Sequence, residues 1–300
     1  MPDLNRRPER RSGNVYHDRE KRGQVYLFLA SIWPHLGEGI PRAERWDAAW
    51  HAVSTPFVRF AAETAIAHVG VIPVPLEVAG EAVEMAGIHA VCTHPAYRGQ
   101  GLSRTLMEEA LAYCDARFPA AFLTTEEPDL YTRYGFRLIP QQIFVSELAP
   151  SAAGEVPRRL SLDDAADRAL LERLLATRNA VSQVLGTREP GWLFKINVSL
   201  WSAIAGHIHY LEELDCAVVY RIERGTLRIY DLIATELPPL MELVARIGQD
   251  AERLELFFTP DRLQADRLRP VPLTDGNNLM VRGPFRAEGT PLILPPLARC

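Results

Sequence analysis

The run Gly87-Ile-His-Ala-Val-Cys-Thr-His-Pro-Ala-Tyr-Arg-Gly-Gln-Gly101 decides how this 300-residue chain reads. Up to Thr93 it is strand-like, with apolar and small residues alternating. Pro95 stops the strand, and Gly99 and Gly101 open a turn. A helix follows, in which Leu102, Leu106, Ala110 and Cys114 step by four, Met107 and Leu111 lie beside them, and Arg104, Glu108 and Glu109 take the wet face. The first turn of a helix carries unpaired N–H groups and the positive end of the dipole. Two glycines clear the approach to those donors and Arg98 adds a fixed charge, so the turn forms a pyrophosphate cradle. It is not a P-loop, because no Gly-Lys-Ser/Thr follows. It is not a dinucleotide fingerprint either, because Arg104 stands where the third glycine would be.

Around this run the hydrophobic period predicts the other elements. Helices fall at 23–33 and 42–53, and strands at 57–63, 66–74 and 83–93. After the helix at 99–117 come a strand at 120–125, a short helix at 128–134 and a strand at 136–145. Residues 149–157 are rich in Ala, Pro, Ser and Gly and mark a linker. Beyond it the spacing predicts a helix opened by Ser161 and Asp164, a helix at 192–205, and strands at 217–222 and 227–233. A helix at 238–247, a strand at 254–258, a helical segment at 261–268 and a strand near 279–281 complete the chain. Residues 1–22 are polar and net basic and read as a disordered tail, with an anion-touching arm as the sharper alternative. Residues 286–300 read as a C-terminal tail.

Length alone suggests two domains of about 150 residues. Hydrophobic residues make up 47% and charged residues 24%, and the net charge is −5. That balance argues against a nucleic-acid partner. The cysteines Cys92, Cys114, Cys216 and Cys300 show neither disulfide density nor zinc spacing, and His207 and His209 have no third ligand nearby, so no metal is expected. No apolar run approaches the ~20 residues needed to span a bilayer. The expected setting is cytoplasmic, with no membrane partner.

The segment Val91-x-Thr93-x-Pro95-x-Tyr97-Arg98-Gly99-x-Gly101-Leu102 resembles the acetyl-CoA signature of the GNAT acyltransferase superfamily. A second motif, Tyr131-Thr-Arg-Tyr-Gly135-Phe136, is similar to the family's Y-x-x-x-G-F. Ser103 departs from the family's closing Gly or Ala, but its size and hydroxyl suit a phosphate. The resemblance implies an α+β fold with a mixed sheet, the GNAT acyl-CoA N-acyltransferase fold, over residues 23–148. It implies acetyl-CoA as co-substrate and a small-molecule or peptide amine as acceptor. By the same resemblance Val91, Cys92 and Thr93 bind the pantetheine arm, the amides of Arg98, Gly99, Gln100, Gly101, Leu102, Ser103 and Arg104 hold the pyrophosphate, and Tyr131 sits near the sulfur.

Direct acyl transfer needs a neutral amine, a base to take its proton, donors for the oxyanion and an acid for the departing thiolate. Tyr131, with an ordinary pKa of about 10, matches a thiol leaving group; a core-packing ring is the alternative, with Tyr134 as substitute. Strand alternation puts Met85, Gly87, His89 and Val91 on one face, which makes His89 a candidate base. A satisfied core histidine is the alternative there. Glu126 and Glu127, just past the 120–125 strand, compete for the role. Cys92 has no evident reason to be a nucleophile.

Residues 158–285 repeat the element order of the first half, with near-equal spans from Val83 to Phe136 and from Leu227 to Leu279. Where the first copy has its glycine turn, the second has Thr235-Glu-Leu-Pro-Pro239, which would repel a phosphate. The expectation is therefore two tandem GNAT copies, the second degenerate and walling the acceptor cleft, in an arrangement that resembles Eis-like acetyltransferases. Rival readings are a non-catalytic acyl-CoA-binding regulator and a Fem-like aminoacyl transferase.

Overall fold

The computed structural model describes residues 14–149, 157–188, 191–248, 251–265 and 267–300. Residues 1–13 of the expected tail and 150–156 of the expected linker lie outside them. Asn14 already belongs to the folded part of the chain. The Asn14 side chain accepts from the Tyr16 N–H at 2.9 Å, and the Tyr16 ring is buried in the core. Helix α1 (Arg19–Ile32) follows, N-capped by Asp18, which accepts from the N–H groups of Glu20 and Lys21. Residues 14–22, read from sequence as tail, therefore belong to the fold; one large buried ring outweighs their polar composition.

Helices α2 (Leu36–Glu44) and α3 (Trp50–Val53) replace the single helix expected at 42–53. Strands β1 (Thr55–Ala61), β2 (Thr64–Val78) and β3 (Glu81–Thr93) form an antiparallel meander. Helix α4 (Leu102–Asp115) crosses over to β4 (Ala121–Thr125), which runs parallel to β3. Its apolar stripe, Leu106, Met107, Ala110, Leu111 and Cys114, packs on Ala86, Ile88 and Leu123 of the sheet. After α5 (Asp129–Thr132) the strand expected at 136–145 is cut at Pro140 into β5 (Arg137–Ile139) and β6 (Gln142–Glu147).

The second half contains β7 (Arg158–Arg159), α6 (Ala165–Thr177), β8 (Leu185–Thr187), α7 (Trp192–Leu200), α8 (Ser202–Ala205), β9 (Ile208–Leu211), β10 (Cys216–Glu223), β11 (Thr226–Ala234), α9 (Leu240–Ile247), β12 (Arg253–Leu256), β13 (Arg269–Pro272) and β14 (Asn278–Arg282). Among the described residues of 261–268 there is no helix.

One sheet runs β1-β2-β3-β4-β14-β5, with β8 added beside β2; the other runs β13-β6-β12-β11-β10-β9-β7. The two orders match. In each, three antiparallel strands lead through a crossover helix to a parallel fourth, and two further antiparallel strands close the edge. The strand beside each parallel pair comes from the opposite half of the chain. β14 seats against β4 and β5, and β6 seats against β12 and β13. Leu279 thus closes the first sheet, not the second copy that its sequence spacing suggested. The second sheet's equivalent of β5 is β13.

Candidate active site

Strands β3 and β4 pair only through Ala86↔Ala121 and Gly87↔Phe122. Past these residues they part, and the gap lies beside the start of α4. Ala90 bulges β3 there: its φ is 49°, in the left-handed region, and the register with β2 shifts between His68 and Gly70. His68 holds the bulge. Its Nδ1–H donates to the Ala90 carbonyl at 2.8 Å, and the Tyr16 hydroxyl donates to Nε2 at 3.3 Å. A carbonyl only accepts, so Nδ1 carries the ring proton. Burial pushes the His68 pKa down to about 4, so the ring is neutral.

The bulge also corrects the faces read from simple alternation. Val91 packs toward α4 with Ile88, whereas Cys92 turns to the opposite side with Trp50. The His89 ring lies 5.0 Å from that of Trp50, tilted by 48°, and shares the side of Cys92, not that of Val91. One extra residue inverts every position after it.

A cleft of about 410 Å³ opens beside the end of β3 and the start of α4. Val91, Cys92 and Thr93 line it from β3, Arg98 from the turn, and Ser103, Arg104 and Met107 from α4. Tyr131 and Tyr134 complete it, with Ile32 and Trp33 at the end of α1. Gly99 and Gly101 each have φ 77°, and a Cβ built on either meets nothing within 4 Å. The space over the α4 amides is therefore open, and glycine is the residue that takes this backbone without strain. Arg98 reaches back to the Thr93 carbonyl at 3.4 Å. Gln100 is exposed, and Leu102 packs inward against Ile66 and Tyr97. His94 caps the turn by accepting from the Ala96 N–H at 3.2 Å.

Burial holds the Tyr131 phenol above its ordinary pKa, with Tyr134 and Cys92 adding to the effect and a hydrogen bond to Thr125 opposing it. Tyr131 therefore keeps its proton at neutral pH. Burial also pushes the Cys92 thiol up to about 12, the wrong direction for a nucleophile.

His89 lines a second cavity of about 230 Å³ with Trp50, Ile72, Leu193, Ile196, Asn197, Leu200, Arg299 and Cys300. Its Nε2 lies 2.8 Å from Ser54 Oγ, and its Nδ1 is buried with no partner in the protein. Burial, then neighbouring His68, hold its pKa well below the usual histidine range. Gly70 makes room for the ring, because a Cβ there would sit 2.3 Å from Nε2. Glu126 lies on the exposed loop after β4 and lines neither cavity.

Thus Val91, Cys92, Thr93, Arg98, Ser103, Arg104 and Tyr131 come together in one cleft, while Gly99, Gln100, Gly101 and Leu102 of the predicted cofactor set do not line it. His89 faces a neighbouring chamber, and Glu126 stands outside both. Ser54, His68, Trp50 and Arg299 were missed. No spacing rule ties residue 299 to residue 89.

The second sheet lacks this opening. β11 and β12 pair over four residues, Thr226↔Arg253 to Ile229↔Leu256. Pro238 and Pro239 bring no N–H to the start of α9, and the Leu240 N–H is taken by the Leu263 carbonyl at 3.0 Å. Among the described residues no group of three or more His, Cys, Asp or Glu side chains could hold a metal ion, and no helix is long and apolar enough to cross a membrane.

A mixed sheet split at its parallel pair, with a glycine turn opening the crossover helix, defines an acyltransferase fold. Residues 29–139 match the acetyltransferase (GNAT) domain family. Over 64 residues it is 39% identical to the uncharacterized N-acetyltransferase YhbS of Escherichia coli K12, covering 21% of this chain and 38% of the relative. The chain thus spans under two-fifths of the length of that curated relative.

Two solved structures share the fold. One is a conserved protein of unknown function from Enterococcus faecalis V583, described as a probable N-acyltransferase. It has a TM-score of 0.51 and 19% identity, over 81% of this chain and 65% of that one. The other is Eis1 from Mycobacterium abscessus, with a TM-score of 0.50 and 17% identity, over 76% of this chain and 63% of that one.

Proposed function

We propose that the protein is an acyl-CoA-dependent N-acyltransferase that moves an acetyl group from acetyl-CoA directly to an amine. The observation that carries this reading is the cleft between the end of β3 and the start of α4, where Val91, Thr93, Arg98, Ser103 and Tyr131 converge. The residues fit CoA on two counts. Open space stands over Gly99 and Gly101, and Thr93 Oγ1 in the cleft is buried with no partner in the protein. Arg98 and the amides of the turn would hold the pyrophosphate, and Val91 and Thr93 the pantetheine arm. Bound acetyl-CoA supplies the thioester carbonyl.

The chain's own residues do the rest. Tyr131 keeps a proton available for the departing sulfur. His89, neutral because it is buried, is the acceptor for a proton on the amine side; Glu126 is its exposed rival. We further propose that the first sheet is the active copy and that the second, with no open amide turn, buttresses it and supplies a wall of the acceptor side through α7.

The test is CoA release from acetyl-CoA against a broad amine panel, beside acetyl-CoA binding measured by calorimetry. Turnover with at least one amine is expected. Tight binding with no amine acetylated would overturn the enzyme reading in favour of a regulator.

A further inference from the structure

The 230 Å³ chamber beside His89 carries unspent polar groups. Its body is hydrocarbon: Trp50, Ile72, Leu193, Ile196 and Leu200. Arg299 enters at one side. Its Nη1 donates to Asp275 at 3.1 Å, while its Nε and Nη2 are buried with no partner in the protein. The Asn197 amide fixes this segment by donating to the carbonyls of Leu297 and Arg299, both at 2.9 Å. A buried guanidinium edge left unpaired is costly, and Nε with Nη2 is the edge that grips a carboxylate with two parallel bonds. The other orphan is His89 Nδ1. If Nε2–H donates to Ser54, this nitrogen presents a lone pair to an incoming N–H.

We propose that this chamber seats the acceptor, and that the acceptor is a compact apolar amine bearing a carboxylate, its hydrocarbon body on Trp50 and the α7 leucines, its carboxylate on Arg299 and its amine toward His89. The proposal rests on the acyltransferase reading above. The lining speaks against a polycation. The chamber equals roughly eight waters of liquid volume, and no Asp or Glu is among its lining residues. Position supports it too. His89 lies three residues before Cys92 on the same side of β3, and Cys92 lines the CoA cleft. The α7 helix brings the second half of the chain to the site, which gives that half a direct role in choosing the acceptor.

The experiment compares phenylalanine and leucine with phenethylamine and isoamylamine, which keep the body and lose the carboxylate, and with spermidine and kanamycin as polycations. Acetylation is read as CoA release. Binding is read separately by calorimetry with and without CoA. Phenylalanine or leucine should exceed its decarboxylated partner in kcat/KM by at least about tenfold. Arg299→Gln should raise KM for the acids by about 10- to 150-fold, leave kcat and acetyl-CoA affinity near wild type, and erase the preference for the acid. Ile196→Trp, which fills the chamber, should abolish acid binding while acetyl-CoA still binds.

Preference for a polycation, or an unchanged acid-to-amine ratio in Arg299→Gln, overturns the proposal. Acid binding that survives in Ile196→Trp overturns it as well. Acid binding without any acetyl-CoA binding sinks the acyltransferase reading and leaves the seat standing. Acetyl-CoA binding with no seating of any acid does the reverse.

Discussion

Ser54 Oγ and His89 Nε2 lie 2.8 Å apart in the interior of the first sheet, and the other nitrogen of the same imidazole has no partner in the protein. The ring is thus fixed at one end and available at the other, the arrangement expected of a group that receives a proton from something the protein does not itself contain. Burial, then neighbouring His68, hold its pKa well below the usual histidine range, so the ring is neutral at neutral pH. The kcat/KM profile should therefore show no acidic limb near 6.5, the ordinary histidine value. It should rise with pH as the amine loses its proton. A limb at 6.5 that vanishes in His89→Gln would contradict a neutral buried ring.

His68 makes a separate, thermodynamic prediction. Its folded pKa of about 4 lies below the unfolded value of about 6.5. Between those values the unfolded chain binds more protons, so stability is full above pH 6.5 and falls as the pH drops toward 4. The loss is on the order of 3 kcal/mol once both limits are passed. Urea denaturation at pH 7.5 and 5.0 reads it. His68→Asn keeps a donor near Nδ1 and removes the titration, so its stability should depend less on pH. Equal slopes in the two proteins would refute the assignment.

The cradle is tested by Arg98→Glu with Gly101→Val. Valine at φ 77° strains the turn by about 1–2 kcal/mol, and glutamate puts a negative charge where phosphate charge must sit. Acetyl-CoA affinity should fall below detection while the circular dichroism spectrum and cooperative melting persist, because neither side chain packs in the core. Unchanged affinity would dissociate the turn from CoA.

Tyr131→Phe removes a proton donor and keeps the ring, which packs at 6.3 Å on Phe136. The kcat should drop by about 10²-fold or more, with acetyl-CoA affinity within a few-fold of wild type. A full rate would leave Tyr131 as a packing residue.

The glycine turn, the α4 stripe and the sheet strands were legible because each is local: a period, a breaker, a cap. The family resemblance rested on the same run and pointed to the residues of the cleft beside β3. What was hidden is what depends on distant partners. The bulge at Ala90 needs a histidine 22 residues away to hold its carbonyl, so alternation placed Val91 on the wrong face. Ser54 meets His89 across 35 residues, and Asn197 holds the Arg299 carbonyl across 102. Tyr16 was lost in a polar segment, because one buried ring leaves no periodicity.

The strand exchange yields the last prediction. β14 is hydrogen-bonded to β4 along Asn278↔Thr125 to Arg282↔Ala121 and to β5 on its other side, and Arg282 pairs with Asp115 at the end of α4 and donates to the Tyr134 carbonyl at 3.0 Å. Without β14 the first sheet would expose the edge of β4, and its apolar Leu279, Met280 and Val281 would leave a trough in the core. β6, detached from β12, would lose both its neighbours. A fragment ending at residue 148, the boundary suggested by composition, should therefore fail to fold cooperatively even though it holds every residue of the proposed CoA cleft. Adding residues 157–300 as a separate chain should restore a cooperative melt and acetyl-CoA binding. A fragment 14–148 that melts cooperatively and binds acetyl-CoA alone would show that β14 is dispensable to the site.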